Sequence, residues 1–147
     1  MAPLVLFSAP TMTAEAQPHA ADMPDSQAAE RIARYVAALL EENAHVNLTG
    51  AKTADALRRV HVADSLALVP HLRPLSPARG IDLGSGGGLP GMVLACALPQ
   101  TRWTLVDATR KKVDALSRMA AAVGLDNVAA VWERAEQIAR DPAHCGL

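Results

Sequence analysis

Apolar positions recur at helical spacing in the first half of the chain. In the second half, short strand-like runs alternate with helical ones. Ile32, Tyr35, Val36, Leu39 and Leu40 fall on one helical face, with Glu30, Arg31, Arg34, Glu41 and Glu42 on the others. Asp25 or Ser26 is placed to cap that helix, which ends near 43–45. Val46-Asn47-Leu48-Thr49-Gly50 is a turn-like connector. Thr53 caps a second helix with Leu57, Val60, Leu66 and Leu68 as its apolar contacts, and Pro70, Pro74 and Pro77 close it and form a linker. The pattern changes at Gly80. A strand is predicted over 80–83, a helix over 89–97 stopped by Pro99, and a strand with an acidic end over 103–107. A helix over 110–123 ends at Gly124, and a third strand covers 128–132. A helical turn at 133–140 follows, broken by Pro142. Strands alternating with helices imply an α/β fold of parallel βαβ units. Right-handed crossovers order the strands third, second, first.

This divides the chain into a disordered extension at 1–24, a helical segment at 25–79 and a sheet-containing segment at 80–147. With 147 residues, half of them apolar, there is enough material for one real core. Alanine is abundant and aromatics are scarce, so Leu, Val and Ala must fill the space between helices and sheet. The net charge of −1 excludes a domain that binds nucleic acid by bulk basicity, leaving only local patches for RNA. Cys96 and Cys145 form no CxxC pair, and no His/Cys cluster has zinc spacing, so no metal is expected. The run at 4–7 is too short for a signal sequence and nothing approaches a membrane span, which suits a reduced, cytoplasmic setting.

The chemistry concentrates in Asp82-Leu83-Gly84-Ser85-Gly86-Gly87-Gly88-Leu89-Pro90-Gly91. Glycines let a backbone approach a ligand closely, and a helix following them aims its free N–H groups at that ligand. Gly86, Gly88 and Gly91 satisfy the dinucleotide pattern GxGxxG, a weak signal. The first glycine after the strand is Gly84, however, and in that register Pro90 breaks the pattern. Asp82, two residues before Gly84, suits a ligand with a cationic amino group and would repel a pyrophosphate. S-adenosylmethionine has such a group. Asp107, at the tip of the second strand, can accept hydrogen bonds from both ribose hydroxyls. Asp82 can equally be a turn carboxylate that accepts backbone N–H bonds, and Asp107 an N-cap for the next helix. A search for a nucleophile with its base finds none. Ser85 lacks the G-x-S-x-G setting, and His61 and Cys96 have no recognisable partner.

The chain resembles the small-subunit ribosomal RNA methyltransferase G family, also called the glucose-inhibited division B family. The matching pieces are Asn47-Leu48-Thr49, His61-x-x-Asp64-Ser65-Leu66, the stretch from Asp82 to Gly91, Thr104-Leu105-Val106-Asp107, Lys111-Lys112 and Glu133-Arg134-Ala135-Glu136. The resemblance implies a Rossmann-like S-adenosylmethionine-dependent fold. It also implies methyl transfer to N7 of a guanine in small-subunit rRNA, as free RNA or within the ribosomal subunit. It places cofactor contacts at Gly84 and Leu89 and at Ala135-Glu136, with Gly86 in the same turn. Guanine N7 carries a lone pair already, so no general base is required and alignment is the main task. In the family, Asn47, Thr49, His61, Asp64 and Ser65 lie before the sheet, beside the cofactor mouth. They serve equally to tie the helices to the sheet. Arg58, Arg59, Arg110, Lys111, Lys112 and Arg118 are candidates for RNA phosphate or simply solvated helix faces.

The family continues past Glu136 with a fourth strand and an Arg, whereas three strands are counted here. The first strand, over 80–83, is then expected as an open edge. Three forms remain open: a fragment of the methyltransferase with weak or no activity alone, an NAD-binding module, or a non-enzymatic remnant that binds a partner through that edge.

Overall fold

The computed structural model describes residues 24–140 together with the backbone of Val5–Leu6. The first helix, α1 (Ser26–Asn43), is capped by Asp25, whose Oδ1 accepts the Ala28 N–H at 2.7 Å. Its buried face is Ala28, Ile32, Tyr35, Val36 and Leu39, spaced by three and four residues as the pattern requires. Thr53 caps α2 (Ala54–Ala56) by accepting the Ala56 N–H. That helix runs through a π-helical stretch, Leu57–Val62, into α3 (Ala63–Leu66). The π spacing corrects one expectation. Leu57 and Val62 are buried five residues apart, while Val60, expected in the core, is 53% exposed. Pro70 sits in the first turn of α4 (Val69–Leu72), where its missing N–H costs nothing, rather than in a linker.

A three-stranded parallel sheet follows, made of β2 (Arg79–Leu83), β3 (Arg102–Asp107) and β4 (Val128–Trp132). The spatial order is the expected one. The short strand β1 (Val5–Leu6) adds to the outer side of β2, pairing Val5 with Gly80 and Leu6 with Ile81, also in parallel. Two expectations change here. Val5–Leu6 lies within the segment taken as disordered, and the edge of β2 is partly covered. An apolar pair beside an unpaired row of N–H and C=O groups is enough to seed a strand. The remainder of the disorder expectation and the break at Pro142 lie outside the described residues.

Helix α5 (Gly91–Ala97) connects β2 to β3 and buries all seven of its residues, which explains its Gly, Ala and Cys content. It starts at Gly91 and not at 89, because a residue before proline is disfavoured in helical geometry. Helix α6 (Arg110–Val123) connects β3 to β4 and ends on Gly124 at φ 77°. The short α7 (Ala135–Ile138) follows β4. The main core lies on one sheet face, where α1, α5 and α6 meet Trp103 and Leu105. A smaller cluster of Ile81, Val106 and Ile138 occupies the other face, with Leu83 and Val131 packed beside it. Trp103 crosses over Gly80, where a Cβ would stand 2.6 Å from the ring. Asn127 ties α5 to the loop before β3, its Nδ2 donating to the Ala95 and Thr101 carbonyls.

Candidate cofactor site

The glycine turn connects β2 to α5 at the C-terminal ends of the strands, where open α/β sheets hold their ligands. Gly84, Gly86 and Gly88 adopt φ of 75°, 55° and 98°, which only glycine takes without strain. The turn has two different sides. A Cβ on Gly84 would meet nothing within 4 Å, and on Gly86 only the Gly84 carbonyl at 3.9 Å. A Cβ on Gly87 would press on Leu39 at 3.1 Å and the Leu48 carbonyl at 3.2 Å, and on Gly88 it would meet Met92 at 2.5 Å. The turn is therefore open in front and packed behind.

Its N–H groups are mostly used within the protein. Gly84 and Ser85 donate to the Val106 carbonyl, Gly88 to that of Ser85, and Met92 to that of Gly88. Gly86 donates to Asp107 Oδ2 at 3.0 Å, and Gly91 donates to Asp82 Oδ2 at 3.0 Å. The expectation that the helix would aim free N–H groups at a ligand is thus corrected. Two short-range demands, closing the turn and starting a seven-residue helix, consume those of Gly84, Ser85, Gly86, Gly88, Gly91 and Met92.

Both acids sit at the turn. Asp107 is buried, and its other oxygen, Oδ1, accepts the Thr109 N–H at 2.8 Å just before α6. It is therefore a turn carboxylate rather than the cap of α6, whose cap position is Thr109, and each oxygen keeps a lone pair. Burial pushes the Asp82 carboxyl up to about 6. The Gly91 N–H opposes that rise, and the nearby Asp107 charge adds to it. Ser85 is buried and donates its hydroxyl to the Asp82 carbonyl at 2.9 Å, so it is a turn tie. Leu89 packs against the main core at the far end of the turn.

Ala135 and Glu136 form the first turn of α7. Their neighbours Glu133, Arg134 and Gln137, with Ala108 and Trp132, line a cavity of about 420 Å³ at the ends of β3 and β4. Trp132 is 55% exposed, donates its indole N–H to the Ala108 carbonyl at 3.0 Å, and carries the Arg110 guanidinium 5.1 Å above its ring.

Parts of the upstream motifs hold local structure in this geometry. Asn43 Oδ1 accepts the Leu48 and Thr49 N–H groups, and Thr49 Oγ1 accepts that of Ala51. Asn47 and Asp64 are exposed. Ser65 is buried and donates to the His61 carbonyl at 2.7 Å. Among the basic candidates, Arg118 is held in a bidentate pair by Glu42, and Arg59 pairs with Asp55. Cys96 is buried, and burial pushes its thiol up to about 11, which leaves it inert.

Sequence reasoning missed two residues. The helical pattern makes Tyr35 a core contact and no more, yet its hydroxyl donates to the Gly87 carbonyl at 2.9 Å. The pattern makes Asn43 a helix end, yet its side chain holds the connector. A tyrosine on a fully buried helical face needs a partner for its hydroxyl, and that was the available signal for the first.

Strand, glycine turn, helix and an acid at the tip of the next strand define a Rossmann-like cofactor-binding unit, and the family match makes it the Rossmann-like fold of S-adenosylmethionine-dependent methyltransferases. The chain belongs to the rRNA small subunit methyltransferase G family, whose profile matches residues 28–145. The ribosomal RNA small subunit methyltransferase G of Rhizorhabdus wittichii is 43% identical over 110 residues, which cover 74% of this chain and 51% of that protein. That of Sorangium cellulosum is 45% identical over 117 residues, 79% of this chain and 49% of the relative. That of a Synechococcus species is 42% identical over 124 residues, 83% and 52% respectively. The chain spans about half the length of these curated relatives. Among the described residues no helix is long and apolar enough to cross a membrane.

Proposed function

We propose that this chain forms the S-adenosylmethionine-binding portion of an enzyme that methylates N7 of a guanine in small-subunit rRNA. The observation that carries this reading is the donor-poor glycine turn. Its N–H groups at Gly84, Ser85, Gly86, Gly88 and Gly91 are already donated within the protein. A pyrophosphate needs such donors. An ammonium needs acceptors, and the turn offers carbonyls and the Asp82 carboxylate. The open space in front of Gly84 and Gly86 fits the methionine end of the cofactor.

In this proposal Asp82 receives the amino group and Gly84 and Gly86 let the backbone come close. Leu89 closes the turn, and the spare lone pairs of Asp107 accept ribose hydroxyls. Ala135-Glu136 present backbone toward the adenine edge, beside the cavity under Trp132. The cofactor supplies an electrophilic methyl group on sulfonium. The protein then has only to hold N7, carbon and sulfur in line, without a base.

Calorimetric titration with S-adenosylhomocysteine, with NAD run in parallel, tests the cofactor assignment. The expected result is micromolar affinity for the former and none for NAD. Binding of NAD alone, or of neither by the folded chain, rejects it.

A further inference from the structure

We propose that Tyr35 is a positioning residue for the cofactor turn, through which the N-terminal helix α1 sets the conformation of Gly84–Gly88. This rests on the cofactor reading above. Tyr35 lies 52 residues from Gly87 in sequence, is fully buried, and donates its hydroxyl to the Gly87 carbonyl at 2.9 Å. The other hydrogen bonds described for the turn come from β2, β3, α5 or the turn itself: Asp82, Val106, Asp107, Met92 and Ser85. Tyr35 is the tie that comes from outside that unit.

The turn needs such a tie. Three of its residues hold positive φ, and glycines have many other conformations within reach. No side chain packs against the front, where Gly84 and Gly86 face open space and are held only through their N–H groups. The back is pressed on Leu39 of α1 and on Leu48, itself held by Asn43 at the end of α1. The nearest neighbours behind Gly87 thus trace to one helix and the connector after it. Burial, with the Cys96 and Asp82 charges adding to it, raises the phenol well above its ordinary value, so the hydroxyl keeps its proton and remains a donor.

Tyr35→Phe removes only that donor and leaves the Gly87 carbonyl buried without it. The test measures three things on wild type and variant: melting, residue-resolved amide exchange, and S-adenosylhomocysteine affinity. Exchange at Gly86, Gly87 and Gly88 is expected to rise about tenfold more than exchange within α6. Affinity is expected to fall about tenfold, which corresponds to about 1.4 kcal/mol. If all amides shift together and affinity is unchanged, Tyr35 is merely a core residue and the proposal is overturned.

Tyr35 is the single tyrosine of the chain, so biosynthetic 3-fluorotyrosine labels it alone. Its fluorine resonance is expected to move when S-adenosylhomocysteine binds, although the ring stands behind the turn. A bound ligand with an unmoved resonance also overturns the proposal, without any variant that has to fold. If the wild-type chain binds no S-adenosylhomocysteine, the cofactor reading fails, and the exchange comparison at Gly86–Gly88 still decides the role of Tyr35.

Discussion

Single residues in the turn have separable tasks. Gly88 has both a positive φ and a tight back, so Gly88→Ala is expected to cost about 2–4 kcal/mol of stability in urea unfolding. Gly84→Ala meets no neighbour and should cost only the backbone strain, about 1–2 kcal/mol. Equal losses at the two sites would contradict the two-sided description. Asp82 supplies a pH signature. Its carboxyl is raised from 3.8 to about 6, so the folded chain holds a proton that the unfolded chain has released. The stabilisation from that proton is complete below about pH 3.8 and is lost as pH rises to about 6, on the order of 3 kcal/mol in total. The melting temperature of wild type relative to Asp82→Asn should therefore fall across that window. Affinity for S-adenosylhomocysteine should move the opposite way, rising through pH 6 as the carboxylate forms, and the Asn variant should show neither trend. The candidates Asp82, Gly84 and Asp107 were legible because strand, glycine and acid follow one another in a fixed order. The fate of the N–H groups was not, because the sequence cannot say whether a turn spends its donors on itself.

At the scale of elements, α1 and α6 are joined by one well-formed ion pair. Arg118 donates to both Glu42 oxygens at 2.7 and 2.8 Å, and that hydrogen bonding lowers the Glu42 carboxyl below its ordinary value. A double-mutant cycle on Glu42→Gln and Arg118→Ala should give a coupling of about 0.5–1 kcal/mol, since Arg118 is exposed. The coupling should be present at neutral pH and disappear as Glu42 is protonated in acid. A cycle energy of zero at pH 7 would assign the pairing no role in docking α1. The elements themselves were largely readable. Leu57 and Val62 show where this failed, since a π-helical stretch shifts the buried face and the assumed 3.6-residue period put Val60 inside. β1 was missed for a different reason. Two residues carry no period, and only the open side of β2 gives them a partner.

At the scale of the whole molecule, the sheet carries two unequal cores among the described residues. The larger contains α1, α5 and α6, and the smaller rests on Ile81, Val106 and Ile138. Val106→Ala should therefore cost less than Leu105→Ala, although the two are adjacent and both buried, with the larger loss near the upper end of about 2–5 kcal/mol. Denaturant midpoints at unchanged slope would measure this, and the reverse order would mean that the second face bears more of the fold than its cluster suggests. The sheet is parallel throughout, and Gly80 finds Trp103, which in turn finds Val128. No strand meets its neighbour across a hairpin, so each pairing must first close a long loop. On a chain emerging from the ribosome, α1 is made early, yet the carbonyl that Tyr35 serves is 52 residues behind it. The N-terminal helix must therefore wait, its tyrosine still wet, until the nascent chain has delivered the turn it is built to hold.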